Sequence, residues 1–213
     1  MTDRAEFVFA TLGTLFPEAA CELDYRRQID LLVAVMLSAQ TTDAAVNRVT
    51  PALFARYPDA AAYAAAPAGE IEDLIRHLGL FRAKAKNIRA AAARIAAAGG
   101  DIPNDQAFLE SLPGVGRKTA NVFLAEWYRE PRIAVDTHVS RVSYRLGFAA
   151  RDEDPAKIER KLTEAFAPST WIALHHRMIH FGRYRCYARK PLCDGCPFLS
   201  VCTEPQPTPR SDE

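Results

Sequence analysis

The chain has 213 residues, 49% of them hydrophobic and 25% charged, so it is long enough and apolar enough to fold around a packed core. Its formal net charge of +1 excludes a strongly polycationic protein, and any nucleic-acid binding must use a local basic surface. The longest apolar run, residues 31–37, is too short to span a membrane, and no signal peptide is evident. We therefore predict a cytoplasmic protein with no membrane partner.

Helical periodicity dominates the sequence. Apolar residues recur at three- and four-residue spacing, and β-branched residues do not alternate over more than a few positions, which predicts an all-α fold. The predicted helices cover residues 29–39, 43–57, 58–66, 70–78, 82–98, 136–146, 155–166 and 169–181. Thr42 or Asp43 is placed to cap the second of these helices. The proline-containing segment 205–213 is predicted to be a disordered tail.

Two stretches contain no acidic residue and are rich in lysine and arginine. They are residues 74–100, with Arg76, Arg82, Lys84, Lys86, Arg89 and Arg94, and residues 165–193, with Arg177, Arg183, Arg185, Arg189 and Lys190. Such stretches can present a positive face to a polyanion although the whole protein is nearly neutral. Basic residues scattered over a solvated surface would give the same composition, so both interpretations stay open.

The most informative segment is residues 112–118, Leu-Pro-Gly-Val-Gly-Arg-Lys, a glycine hairpin that opens directly into a helix. Pro113 ends the helix before it, and Gly114 and Gly116 permit positive φ angles and leave backbone amides uncovered by side chains. Those amides and the N–H groups that open the next helix can bind a DNA phosphate. An ordinary turn is the alternative, but the flanking Leu-Pro and Arg-Lys pairs favour phosphate binding.

Beyond the hairpin, a lysine and an aspartate have side chains that could react with a sugar or stabilise a charge on it. Lys118 lies in the first turn of the following helix, where a neutral amine could attack a sugar carbon and form a Schiff base. Asp136 follows a short apolar run and could stabilise positive charge on a sugar, as carboxylates do in glycoside hydrolysis. It could also simply cap the next helix, and the two roles are compatible. His138 is near enough along the chain to neighbour Asp136.

Four of the five cysteines lie close together with the spacing C-x6-C-x2-C-x5-C. They are Cys186, Cys193, Cys196 and Cys202. Disulfides are rare in the cytoplasm, so this group predicts a metal site. Structural zinc usually takes two close cysteine pairs, whereas four thiolates also suit an iron–sulfur cluster. The spacing favours iron–sulfur without excluding zinc.

The chain resembles the endonuclease III family of helix–hairpin–helix DNA glycosylases in segments along nearly its whole length. These segments are 37–43 (LSAQTTD), 112–120, 135–138 (VDTH) and 180–183 (HFGR), the last leading into the four cysteines. The resemblance implies a helix–hairpin–helix DNA glycosylase fold with a six-helix barrel over residues 22–130, whose hairpin motif covers about 106–128. It implies a second, helical iron–sulfur lobe from residues 1–21 and 131–204, with the active site in the cleft between barrel and lobe.

The resemblance also implies an activity, that of a bifunctional DNA glycosylase/AP lyase of base excision repair. Such an enzyme removes oxidised pyrimidines from double-stranded DNA and cuts abasic sites by β-elimination. Lys118 would be the nucleophile, Asp136 the assisting carboxylate, and the four cysteines would hold a [4Fe–4S] cluster. The implied DNA-contacting residues are Gln40 and Leu80, which would replace the extruded nucleotide, and Gly114, Gly116, His138, Arg189 and Lys190. A monomer that associates with the nucleoid through DNA is expected.

Three other interpretations stay open at this point. An adenine-removing mismatch glycosylase of the same superfamily would also carry a cluster, but such enzymes usually lack a lysine at the position of Lys118. They also have a further C-terminal domain, for which this chain ends too early. A non-catalytic DNA-binding module could use the same hairpin, basic stretches and cluster. A zinc-stabilised helical protein unrelated to DNA would share only the cysteine arrangement.

Overall fold

The computed structural model describes residues 1–204, so the tail predicted to be disordered at 205–213 lies outside the described residues. Within residues 1–204 the regular elements are helices, and the prediction of an all-α fold is confirmed. In chain order they are α1 (Asp3–Leu15), α2 (Gln28–Leu37), α3 (Asp43–Arg56), α4 (Ala60–Ala64), α5 (Glu70–Ile75), α6 (Phe81–Ala97), α7 (Gln106–Ser111), α8 (Arg117–Tyr128), α9 (Thr137–Arg145), α10 (Pro155–Ala165), a 3₁₀ turn (Pro168–Thr170) and α11 (Trp171–Tyr184). No helix among the described residues is long and apolar enough to cross a membrane.

Capping residues decide where several helices begin. Thr42 is the N-cap of α3, because its side-chain oxygen accepts a hydrogen bond from the Ala45 N–H, and Asp43 is the first helical residue. The predicted helix at 169–181 is instead the 3₁₀ turn followed by α11, which runs on to Tyr184. Helix α1 was not predicted from periodicity, although Thr2 caps it by accepting from the Ala5 N–H.

The chain divides into two compact units. The first is the continuous segment Cys21–Glu130, which holds α2 to α8. The second combines Met1–Ala20 with the chain from Pro131 onward, and it holds α1 and α9 to α11.

Helix α2 forms the centre of the first unit. Every residue from Ile29 to Leu37 is buried, and α2 packs against α3, α6 and α8. The one buried acid in α2, Asp30, is paired with Arg27 at 2.8 Å, so its charge is compensated. Helix α6 packs against α4 and α5, and α7 packs against α8. This packing fixes the ends of α2, α6 and α7, from which the candidate site residues of this unit project.

The core of the second unit is formed by α1, α9, α10 and α11. Its buried side chains include Leu12, Val139, Leu162, Phe181 and Phe198. The rings of Phe181 and Phe198 lie 5.1 Å apart in an edge-to-face arrangement. Two of the four clustered cysteines, at positions 186 and 196, pack partly against this core, which anchors the segment that follows α11.

Candidate functional site

The hairpin between α7 and α8 uses its two glycines for different reasons. Gly114 has a φ of +79°, and a Cβ there would lie 2.7 Å from the side-chain amide nitrogen of Asn87, so both conformation and packing require glycine. Gly116 has φ −100° and ψ −179°, an extended conformation open to any residue. Gly116 therefore does not use the positive φ that a glycine permits.

What sets Gly116 apart is the space in front of it. A Cβ at Gly116 would meet no atom within 4 Å among the described residues, and the residue is exposed. Gly116 is the N-cap of α8, but it has no side chain with which to cap the first turn of that helix. The start of α8 is thus open to approach from outside the protein.

Lys118 is exposed in the first turn of α8. Burial, with smaller contributions from Glu126 and Asp43, raises the pKa of the Cys21 thiol to about 12, while a hydrogen bond with the Leu23 backbone and the charge of Lys118 act in the opposite direction. The surroundings of Cys21 thus include Lys118 and two carboxylates. Sequence analysis did not single out Glu126, although a glutamate that is 8% exposed at the end of the apolar run of α8 is unusual.

Glu126 also meets a tyrosine. The Tyr25 hydroxyl lies 3.4 Å from Glu126 Oε2, and burial together with that carboxylate raises the pKa of Tyr25 to about 12. Tyr25 therefore stays neutral over the physiological range and can act as a hydrogen-bond donor.

Asp136 is the N-cap of α9, and only one of its carboxylate oxygens serves as the cap. Oδ1 accepts hydrogen bonds from the N–H groups of His138 and Val139, both at 2.8 Å. The second oxygen, Oδ2, makes no hydrogen bond to any of residues 1–204. The side chain is half-buried. Asp136 thus keeps one carboxylate oxygen for another partner while it holds the helix.

His138 is held by Arg141 from the same helix. Arg141 Nη2 lies 3.2 Å from His138 Nδ1, and the backbone of Gly182 is a second hydrogen-bond partner of the ring. Burial lowers the pKa of His138 below its ordinary value, and Asp136 acts in the opposite direction. A Cβ on Gly182 would lie 3.0 Å from His138 Cβ, so α11 fits closely against this position.

Gln40 and Leu80 share a strained backbone. Their φ angles are 53° and 59°, in the left-handed region that costs an L-residue about 1–2 kcal/mol. Gln40 is exposed, and Leu80 is 59% exposed although it is apolar. Neither internal packing nor helix capping by a side chain explains this pair, since Leu80 is the N-cap of α6 without a capping side-chain bond. Strain combined with exposure is typical of residues that serve a binding function.

Arg189 and Lys190 lie after α11, between the first and second clustered cysteines. Both are exposed, and Lys190 has a left-handed φ of 51°. Lys190 is thus a third strained residue at a position where the sequence predicts contact with DNA.

The four clustered cysteines line a single cavity. Its other walls are mostly apolar and include Phe181 and Phe198. Arg145 Nη1 lies 3.2 Å from Cys186 Sγ and donates to it. Burial raises the pKa of the Cys186 thiol, and the Arg145 guanidinium acts in the opposite direction, toward the thiolate that binds metal. The cavity therefore supplies four candidate ligands and a cationic donor to one of them.

The cysteines are not arranged around a single point. No three His, Cys, Asp or Glu side chains in the described part of the chain are close enough to hold one metal ion. A zinc ion and a [4Fe–4S] cluster both take cysteine thiolates, and the four cysteines that line this cavity are the candidate ligands for either.

The comparisons with known proteins agree with one another. The model of the HhH-GPD superfamily of base excision DNA repair proteins matches residues 33–168. The chain is 46% identical to endonuclease III of Bacillus subtilis (strain 168) over 95% of this chain and 93% of that protein. It is 39% identical to endonuclease III of Escherichia coli (strain K12), over 87% and 88% of the two chains.

The solved structures that match this chain include an endonuclease III and a DNA glycosylase. A trapped endonuclease III–DNA covalent intermediate matches with a TM-score of 0.91 and 45% identity, covering 95% of this chain and 97% of that one. A thermostable thymine-DNA glycosylase, only 19% identical, has the same fold with a TM-score of 0.83 over 94% of this chain and 95% of its own.

Proposed function

Since this chain belongs to the endonuclease III family of HhH-GPD base excision DNA repair proteins, we propose that Lys118 is its nucleophile and Asp136 its assisting carboxylate. Family membership makes the protein a bifunctional DNA glycosylase/AP lyase that acts on oxidised pyrimidines in damaged DNA. It also decides against an adenine-removing mismatch glycosylase and a helical protein unrelated to DNA. The observation that most supports the residue assignment is an exposed lysine at the open N-terminus of α8.

The hairpin is proposed to hold a DNA phosphate. Backbone N–H groups and the positive end of the α8 dipole attract an anion, and the open space at Gly116 lets it approach the backbone closely. Such a contact fixes the position of the duplex without reading its sequence. Lys118, in the first turn of the helix, would then lie near the sugar attached to that phosphate.

The two hairpin glycines allow a paired test. Gly116→Ala is expected to change the free energy of unfolding by less than about 1 kcal/mol, because the conformation suits alanine but alanine is a poorer N-cap than glycine. It should nevertheless weaken duplex binding about tenfold, because the methyl group occupies the proposed phosphate position. Thermal unfolding and fluorescence anisotropy measure the two quantities.

Gly114→Ala is the matched control, and unlike Gly116→Ala it is expected to destabilise the fold. A left-handed φ and contact with Asn87 should lower the free energy of unfolding by about 1–3 kcal/mol. Full duplex affinity in Gly116→Ala would contradict the proposed phosphate site.

The proposed chemistry proceeds through an imine. Lys118 Nζ bonds to C1′ as the damaged base departs with the electron pair of the glycosidic bond and takes up a proton. Opening of the sugar ring gives a Schiff base, which acidifies the hydrogens on C2′. Loss of one of these protons breaks the C3′–O bond, and the 3′ phosphate leaves with its electron pair. Water then hydrolyses the imine and releases the lysine.

Asp136 is proposed to stabilise the positive charge that develops on the sugar during base loss. Oδ2 supports this role, since it has no hydrogen bond to the described residues, whereas Oδ1 caps α9. His138, which is half-buried two residues after Asp136, is proposed to contact the DNA.

Gln40 and Leu80 are proposed to enter the duplex where the damaged nucleotide leaves it. An exposed leucine can wedge between bases, and a glutamine can bond to the edge of the orphaned base. Extrusion of the nucleotide costs a few kcal/mol, which filling the gap offsets in part. Arg189 and Lys190, which lie between the first and second clustered cysteines, are proposed to contact phosphates of the DNA backbone.

The four cysteines are proposed to bind a [4Fe–4S] cluster, a cofactor that the endonuclease III family typically carries. The bound cluster would hold the segment after α11 in one conformation. Purified protein should contain about four irons per chain and absorb broadly near ~400 nm through thiolate-to-iron charge transfer. Cys196→Ala should lose both signals, while Cys21→Ala should keep them. One zinc per chain and a colourless protein would contradict the proposal.

Incision assays test the whole proposed function. The wild-type protein should cleave duplexes that contain thymine glycol or an abasic site, and borohydride should trap a covalent adduct with either. A duplex with adenine opposite 8-oxoguanine should stay intact. Binding without incision of any duplex would reduce the protein to a DNA-binding module.

A further inference from the structure

We propose that Lys84 is a positioning residue that holds Gln40 and Leu80 in the conformation in which they enter the duplex. The inference rests on the proposed function, since it assumes that those two residues replace the extruded nucleotide. Lys84 was counted above among the basic residues of a possible DNA-binding face, but its side chain is buried, so it cannot present its charge to DNA.

Lys84 is bonded to both strained segments of the first unit. Its Nζ donates to the carbonyl of Leu37 at 2.8 Å and to Thr41 Oγ1 at 2.7 Å, on either side of Gln40. Its backbone N–H donates to the carbonyl of Leu80 at 3.0 Å, the first bond of α6, which any residue except proline could form. The Lys84 side chain therefore ties the turn that presents Gln40 to the first turn of the helix whose N-cap is Leu80.

Stability does not explain a lysine at this position. Its side-chain hydrogen-bond partners among residues 1–204 are neutral oxygens, and burial without a carboxylate lowers the pKa of Lys84. An apolar side chain of similar volume would avoid the cost of burying the charge, although it would leave the Leu37 carbonyl and the Thr41 hydroxyl without this donor. What an apolar side chain cannot do is donate to a helix-end carbonyl and to a hydroxyl at once. The role of the lysine is therefore to hold the turn around Gln40 in one conformation, more than to stabilise the whole fold.

The strained backbone needs such support. Left-handed conformations at Gln40 and Leu80 persist only where surrounding contacts enforce them, and both residues are exposed. The turn at Gln40 has two other local bonds, from the Thr41 N–H to the carbonyl of Ser38 and from Thr41 Oγ1 to the carbonyl of Ala39. The same face of α6 also carries Asn87, whose side chain packs against Gly114. Helix α6 thus links both insertion residues to the hairpin.

The test compares Lys84→Met with Lys86→Met, a lysine on the exposed side of the same helix. For each variant, the Kd is measured for a duplex with a tetrahydrofuran abasic analogue and for the undamaged duplex of the same sequence. Lys84→Met should reduce the preference for the abasic duplex about tenfold, because only the lesion offers a gap to fill. It should shift the thermal midpoint by less than about 5 °C. Lys86→Met should change both affinities by the same factor.

A double-mutant cycle separates positioning from a general structural effect. In a Gln40→Ala/Leu80→Ala background, Lys84→Met should cause no further loss of preference, since the residues through which it acts are gone. An undiminished loss in that background would overturn the inference, as would full preference in the single variant. Lack of preference in the wild-type protein would instead contradict the proposed function.

Discussion

Lys118→Ala should abolish the borohydride-trapped adduct and lower incision at an abasic site by about 10³-fold or more, because no Schiff base can form without the amine. The fold should be unaffected, since Lys118 is exposed and alanine is the stronger helix former. Single-turnover incision and gel analysis of the adduct measure the effect. An undiminished adduct would remove Lys118 from the mechanism.

Lys118→Arg separates nucleophilicity from charge. The guanidinium keeps the positive charge near the proposed phosphate, but it cannot be deprotonated and so cannot attack C1′. Duplex affinity should therefore stay within about threefold of the wild type, because an exposed charge pair contributes little and its charge is retained. The borohydride-trapped adduct should disappear. Lys86→Ala, on the exposed side of α6, should keep both properties.

In the hairpin, local sequence predicts the role of one glycine but not of the other. Its position between two helices and the requirement for glycine at 114 follow from residue types. The reason for Gly116 does not, because an extended glycine and a left-handed glycine look the same in a sequence. Only the structure distinguishes a glycine needed by the backbone from one that leaves room for a ligand.

Long-range packing explains what sequence analysis missed in α6. Lys84 and Arg89 lie in a stretch without acids and were counted among the residues of a possible basic face. In the folded chain Lys84 is buried, and Arg89 forms an ion pair with Glu72 at 2.7 Å. Glu72 precedes this stretch in the sequence but contacts it in the folded chain. A count of charges along the sequence therefore overstates the basic surface. The strained φ angles of Gln40 and Leu80 are equally invisible in residue types.

Caps were predicted best, because they depend on neighbours within a few residues. Asp136 was given two compatible roles from sequence, and the capping role is confirmed by the bonds of its Oδ1. Its second role depends on what approaches Oδ2, which no local pattern determines. A substitution that retains the cap and removes the charge can separate the two.

Asp136→Asn is that substitution, because asparagine caps helices about as well as aspartate. The free energy of unfolding should change by less than about 0.5 kcal/mol. Removal of thymine glycol should nevertheless fall about 10²-fold or more, since a neutral amide cannot stabilise the cationic sugar formed as the base leaves. Incision at a preformed abasic site should fall much less, because no base departs there. Single-turnover rates on the two duplexes measure the difference.

Asp136→Ala completes the comparison, since it removes both the cap and the charge. It should lower the free energy of unfolding by about 1 kcal/mol and reduce base removal as much as the asparagine variant does. If asparagine instead restores base removal and only alanine loses it, then Asp136 acts by holding α9 and the position of His138. In that case the carboxylate has no part in stabilising the sugar cation, and another acid must supply that charge. Glu126 would be the next residue to test, because it is buried and shares the surroundings of Cys21 with Lys118.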